Sequence, residues 1–151
     1  MRALVQRVAW AQVEVSGEVI GRIEQGLLVY IGVAPDDTLS RAQWLAEKVA
    51  NLRIFPDAGE KLNLSVQDAR GGILVVSNFT LLADARQGRR PSFAGAARAE
   101  VAEPLTDAFV ASLRAQGCQV QTGRFGAMMG ILSQAVGPVN VVVDTPAGLT
   151  D

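Results

Sequence analysis

Apolar positions alternate along the opening stretch from Arg2 to Val15, so that Ala3, Val5, Arg7, Ala9, Ala11, Val13 and Val15 share one face of a long predicted strand. Arg7 falls on that apolar face and needs a carboxylate, a carbonyl or a ligand as partner, which makes it a site or interface candidate. The alternative is a twisted or edge position from which its head reaches water. Ser16-Gly17-Glu18 reads as a hairpin turn into a strand from Val19 to Glu24, and Gly26 precedes a strongly apolar strand, Leu27 to Val33. The period then lengthens. Leu39, Ala42, Leu45, Ala46, Val49 and Leu52 recur at helical spacing, predicting an amphipathic helix from Thr38 to Asn51 capped by Asp37 or Thr38, with Trp44 packing beside the stripe.

Ile54-Phe55 and Leu62 to Leu64 read as short strands around a Pro-Asp-Ala-Gly turn, and Gly71-Gly72 launches a central apolar strand. A second helix is expected from about Glu103 to Gln116, with Leu105, Ala108, Phe109 and Leu113 inward, Pro104 in its first turn and Gly117 as its stop. Val120 to Thr122, Gly126 to Gln134 and Val139 to Asp144 are strand-like, and a frayed end follows Thr145. Strands, helix, strands, helix, strands without a repeat argue for an α+β fold with a largely antiparallel sheet.

Within the central strand, Ser77-Asn78-Phe79-Thr80 interrupts the apolar run Ile73-Leu74-Val75-Val76 and Leu81-Leu82. Burying an unpartnered hydroxyl or amide costs about 1–3 kcal/mol, so these groups either surface at a strand end or serve a site. The chain continues through Arg86, Arg89 and Arg90 in a Gly-containing loop, a combination suited to an anionic substrate or to a solvated basic loop.

Composition narrows the chemistry. The chain has 151 residues and 49% hydrophobic content, enough for one domain, read as 1–145 with a tail over 146–151. The pattern contains no run of membrane-spanning length and no leader-like opening, which makes the cytoplasm the expected location. There is no histidine and a single cysteine, Cys118. Histidine-dependent triads and imidazole metal sites are therefore excluded, no metal or cofactor is expected, and Cys118 reads as a small apolar filler. Fourteen Lys and Arg against fifteen Asp and Glu give a net charge of −1, so a nucleic-acid ligand would have to be held locally, by Arg86, Arg89, Arg90 and Arg98.

A second constellation lies in Gln121-Thr122-Gly123-Arg124-Phe125-Gly126-Ala127-Met128-Met129 and Gly137-Pro138-Val139-Asn140. Alone, Gly-Pro is a tight turn between strands. Together with Leu4-Val5-Gln6-Arg7-Val8, Arg53-Ile54-Phe55, Ser77 to Leu81 and Arg90-Pro91-Ser92-Phe93, it resembles the D-aminoacyl-tRNA deacylase family over nearly the full length. That resemblance implies a barrel-like single domain with two main helices. It also implies a metal-free homodimer that hydrolyses the ester between a D-amino acid, or glycine mischarged on tRNA-Ala, and the tRNA 3′ end. Carried onto this chain, Ser77, Phe79 and Thr80 are the catalytic candidates, and Asn78, Gly137, Pro138, Arg7, Phe125 and Met129 the substrate-binding ones. The Gly-Pro segment of the partner subunit would reject L side chains through its backbone carbonyls. Backbone N–H groups near Phe79 and Thr80 would form an oxyanion hole, and with no base to activate its hydroxyl Thr80 is given a positioning role.

Three positions depart from the family pattern: Asn78 stands in place of Gln, Ala135 in place of Asn, and Asn140 in place of Thr. They leave three readings open: an ordinary D-aminoacyl-tRNA deacylase, a relative accepting small L-residues, and a protein that binds the tRNA end without efficient hydrolysis.

Overall fold

A computed structural model describes residues 1–149. Its strands are β1 (Arg2–Val15), β2 (Glu18–Ile23), β3 (Gly26–Gly32), β4 (Phe55–Pro56), β5 (Leu62–Leu64), β6 (Gly72–Ser77), β7 (Gln119–Thr122) and β8 (Gly130–Asp144). The helices are α1 (Leu39–Ala50) and α2 (Ala99–Ala115), and a 3₁₀ turn covers Phe79–Leu82. The main sheet runs β2-β1-β3-β6-β7, with β8 on the other edge of β1, and β4 and β5 form a separate pair. β1 is antiparallel to β2, β3 and β8, whereas β3–β6 and β6–β7 are parallel. The sheet curls until β2 approaches β7: a Cβ on Gly21 would stand 2.7 Å from the carbonyl oxygen of Thr122. The result is a nearly closed, barrel-like α+β fold.

The unbroken apolar runs of β3 and β6 follow from burial on both faces. Leu27, Val29, Ile31, Ile73 and Val75 pack in one core with α1 and α2, while Leu28, Leu74 and Val76 fill a second core inside the curled sheet. β1 serves both. Ala3 and Val5 join the helix-side core, whereas Val8, Ala11 and Val13 join the inner one. The alternation expected for Arg2 to Val15 therefore holds through Val8 and fails beyond it, at Ala11 and Val13. Pairing with β8 shifts register between Val8 and Trp10, where two steps along β1 answer one along β8, and that extra residue in β1 exchanges its faces.

The hairpin at Ser16-Gly17 forms as expected, with φ of 52° and 80° matching the right-handed twist of its strands. α1 also forms, with Thr38 as its cap accepting from the Arg41 N–H at 3.4 Å, although Leu39 lies outward, 48% exposed, rather than on the inner stripe. Asp37 instead turns inward, accepting from Ala34 N at 2.6 Å and from the Met1 ammonium.

α2 starts at Ala99, four residues before the expected Glu103, and keeps Pro104 inside. Glu100 and Pro104 are both exposed, so the carbonyl whose donor Pro104 lacks belongs to the solvent-facing side of the helix, where losing an intrahelical bond costs least. Its buried stripe is Ala102, Thr106, Phe109, Val110 and Leu113. Cys118 is buried, accepts from Gln67 Nε2 at 3.1 Å, and has its thiol pKa pushed up by burial.

The two strands expected at Gly126 to Gln134 and Val139 to Asp144 are one, β8, with Gly137-Pro138 inside it rather than in a turn joining them. Gln6 pairs with Asn140 and Val8 with Ala135, so the intervening β8 residues bulge opposite Arg7. Of the tail, the carbonyl of Leu149 accepts from Arg41 Nε at 3.1 Å, and residues 150 and 151 lie outside the described residues.

Candidate active site

β3 and β6 run parallel and end side by side, so the chain leaving each opens a gap at the C-terminal edge of the sheet. There a cleft of about 320 Å³ lies among Ile31, Ser77, Phe79, Ala102, Phe125 and Met129. Its volume suits a small ligand group. Asn78 and Thr106 also line it, as do Ala97 and Ala99 at the start of α2. The walls carry mostly small side chains on the helix side, which gives the cleft its depth.

The apolar strand does not resume at Leu81-Leu82 as expected; the backbone coils into the 3₁₀ turn. Asn78 causes this. Its backbone is extended, and its side-chain Oδ1 accepts from Thr80 N at 3.1 Å and from the Thr80 hydroxyl, capping the turn. Phe79 N–H, at the first position, has no intrahelical acceptor. The Phe79 ring is 56% exposed and meets Phe93 edge-on, 5.2 Å between centroids.

The candidate residues thus fall into two groups. Ser77, Asn78, Phe79, Phe125 and Met129 line one cleft. Thr80 is exposed beside them with its hydroxyl turned to Asn78 rather than lining the cleft. Arg7 stands elsewhere, lining a separate depression with Phe55 and Val136, close to Gly137. Within one chain Gly137 and Pro138 are exposed and absent from the cleft lining; the bond between them is cis.

Arg7 has the carbonyl partners its position demanded. Nη1 donates to Ile54 O at 2.8 Å and Nε to Val136 O at 3.3 Å, so one guanidinium ties the β8 bulge to the segment before β4. Arg7→Ala is expected to cost about 1–3 kcal/mol by leaving these acceptors unpaired, read as a lower urea midpoint at unchanged slope. A variant within 0.5 kcal/mol of the parent would show that water replaces the guanidinium.

Sequence reasoning missed Thr106, which is buried and donates its hydroxyl to Ala102 O at 2.8 Å, and the alanines of the helix wall. Alanine carries no local mark of a site; only the early start of α2, readable from Ala96 to Ala102 as a helix-favouring run, pointed there. Among the described residues no three His, Cys, Asp or Glu side chains are grouped to hold a metal ion. Nor, among the described residues, is any helix long and apolar enough to cross a membrane.

A curled α+β sheet with a cleft at the ends of two parallel strands, walled on one side by the small residues of α2, is the frame in which comparison with known proteins places this chain. Residues 4–144 match the family model described as D-Tyr-tRNA(Tyr) deacylase. The chain belongs to that family. It is 55% identical to the D-aminoacyl-tRNA deacylase of Chloroflexus aurantiacus, covering 96% of this chain and 91% of the relative. It is 50% identical to that of Acaryochloris marina, over 97% of each. Among solved structures, the c-Myc DNA Unwinding Element Binding Protein superposes with a TM-score of 0.91 at 37% identity, covering 97% of this chain and 100% of that one. A probable eukaryotic D-amino acid tRNA deacylase, at 19% identity and TM-score 0.81 over 94% and 97% of the two chains, shares the fold.

Proposed function

We propose that this protein hydrolyses the ester linking a D-amino acid, or glycine mischarged on tRNA-Ala, to the 3′-terminal ribose of tRNA, releasing the free amino acid and tRNA in the cytoplasm. The relatives at 50–55% identity carry the D-aminoacyl-tRNA deacylase name, and the cleft supplies the donor such a reaction needs. The observation that supports the reading is the 3₁₀ turn capped by Asn78, whose first residue, Phe79, lines the cleft beside Ser77 and carries an N–H without an intrahelical acceptor. A water oxygen attacks the ester carbonyl carbon, and the developing oxyanion accepts from Phe79 N–H. The carbon–oxygen bond to ribose then breaks, and the ribose oxygen takes the proton that the water lost. An aminoacyl ester is already activated, and the neighbouring ribose 2′-OH can relay that proton. A donor held in place, of a kind worth about 10²–10³ in rate, and correct orientation then suffice without histidine.

The working unit is a homodimer. β8 is a 15-residue strand, and its pairing to β1 leaves its other edge free. Leu132, Val136 and Val142 on it are 42%, 39% and 60% exposed. A long apolar edge of this kind is managed in proteins by covering it. A second copy seated there brings its Gly137-Pro138 bulge, braced by Arg7, toward the Phe79 cleft, where backbone carbonyls exclude an L side chain. Asn78, Phe125 and Met129 then hold the aminoacyl group.

The test is release of amino acid from D-Tyr-, L-Tyr-, Gly- and L-Ala-tRNA, with and without chelator. Loss of the D- and glycyl esters alone, unaffected by chelator, is the expected result. Cleavage of L-Ala-tRNA would replace chirality-based rejection with relaxed selectivity, and no cleavage would leave a protein that only binds the tRNA end.

A further inference from the structure

Two arginines on the excursion that follows the 3₁₀ turn form no ion pair with a carboxylate among the described residues. Asp84 and Ser92 exchange backbone hydrogen bonds, each N–H to the other's carbonyl at 2.8 Å, and this bridge closes residues 85–91 into a small excursion of the chain. The excursion starts directly after the 3₁₀ turn and ends at Phe93, whose ring packs against Phe79 at the cleft. Its arginines are therefore anchored to the site at both ends, whatever the conformation of the tip.

The three cations are not equivalent. Arg86 is committed: Nε and Nη2 donate to the two Asp84 oxygens at 2.9 and 2.6 Å, and the guanidinium holds the Asp84 carboxyl below its ordinary range. Arg89 and Arg90 are exposed and form no ion pair among the described residues, although the chain as a whole carries a net charge of −1. Two exposed guanidinium groups on adjacent residues, with no ion pair among the described residues, are available to an anion. Guanidinium forks match phosphate oxygens.

Resting on the reading of the cleft as an aminoacyl-tRNA site, we infer that Arg89 and Arg90 contact phosphates of the unpaired 3′ strand of tRNA while its terminal ribose enters the cleft. The Phe79–Phe93 contact sets the distance between these two subsites. Arg86 takes no phosphate; paired to Asp84, it stiffens the root of the excursion.

Binding of an uncharged tRNA transcript tests this without any need for hydrolysis. Neutralising both groups in Arg89→Gln/Arg90→Gln is expected to weaken binding at least tenfold at low salt. It should also lower the slope of log affinity against log salt by about 1.4, the equivalent of two single-strand phosphates. Arg70→Gln, at the opposite end of β6, controls for charge and should leave the slope within about 0.3 of the parent. The double lysine variant should keep the slope, and a transcript lacking its unpaired 3′ nucleotides should bind parent and double variant alike. Thermal melting checks that the exposed substitutions leave the fold intact. An unchanged slope in the double Gln variant overturns the inference, as does an equal loss in Arg70→Gln. D-Tyr-tRNA hydrolysis by the parent protein, measured alongside, separates the two readings. Normal hydrolysis with an unchanged slope removes the arginine contacts alone. A lowered slope in a protein that hydrolyses nothing supports the contacts and removes the deacylase reading.

Discussion

Gly26→Ala is expected to lose at least about 4 kcal/mol of stability, enough to leave a marginally stable domain largely unfolded at 25 °C. A Cβ on Gly26 would stand 1.9 Å from the carbonyl oxygen of Gly72 and 2.8 Å from its nitrogen. Those are backbone atoms of the facing strand, Gly26 pairing with Gly72 at the start of the parallel β3–β6 ladder. No rotamer can move aside, so the two central strands must separate where both cores meet. The cause is close approach, since Gly26 has no positive φ. Gly130→Ala is the contrasting control. Its nearest neighbour would be Glu14 Cβ at 3.9 Å, ordinary contact, and it should stay within about 0.5 kcal/mol of the parent. Urea unfolding of both variants decides the point: equal midpoints would mean that the strands part at little cost.

Asn78→Ala is expected to lower kcat/KM on D-Tyr-tRNA about 100-fold while costing about 1 kcal/mol of stability. The side chain accepts from Thr80 N and the Thr80 hydroxyl and so closes the 3₁₀ turn whose first N–H, on Phe79, is the proposed oxyanion donor. Without the cap the turn frays, Thr80 N–H becomes a second, unaligned donor, and Phe79 N–H loses its fixed direction. A freed Thr80 donor and a loosened Phe79 donor act in opposite senses. The loosening dominates because a donor helps the transition state only when it is oriented before reaction. Loss carried in kcat at unchanged KM is the signature expected. A rise in KM alone would assign Asn78 to substrate binding, and no change in either would remove it from the site. Asn78→Gln, which lengthens the acceptor by one methylene, tests whether this chain's turn is matched to the shorter side chain.

How much of this was readable in advance differs from element to element. α1 was legible because its capping residue and apolar period act within the helix itself. The hairpin at Ser16-Gly17 was legible because its turn residues permit positive φ, and the two-sided burial of β3 and β6 was legible as continuous apolar runs. Ser77 to Phe79 stood out because polar groups interrupting such a run need partners. In each case the determining forces act over a few residues, so the local sequence carries them.

What the sequence left undecided depends on residues far apart along the chain. The face exchange in β1 arises from pairing with β8, more than a hundred residues away, and no period within β1 announces it. The partners of Arg7, Ile54 O and Val136 O, are backbone atoms of unrelated segments, and any sequence could have supplied those carbonyls. The helix-side wall of the cleft is mostly alanine, Ala97, Ala99 and Ala102, whose small side chains are informative only once α2 is laid across the ends of β3 and β6. The chain by itself determined most of the segments that become strand or helix and which polar groups demanded explanation, because propensity, capping and burial pattern are local. Tertiary structure alone decided register, the depth of the cleft and which backbone groups stay free to act, because these depend on where distant backbones come to lie.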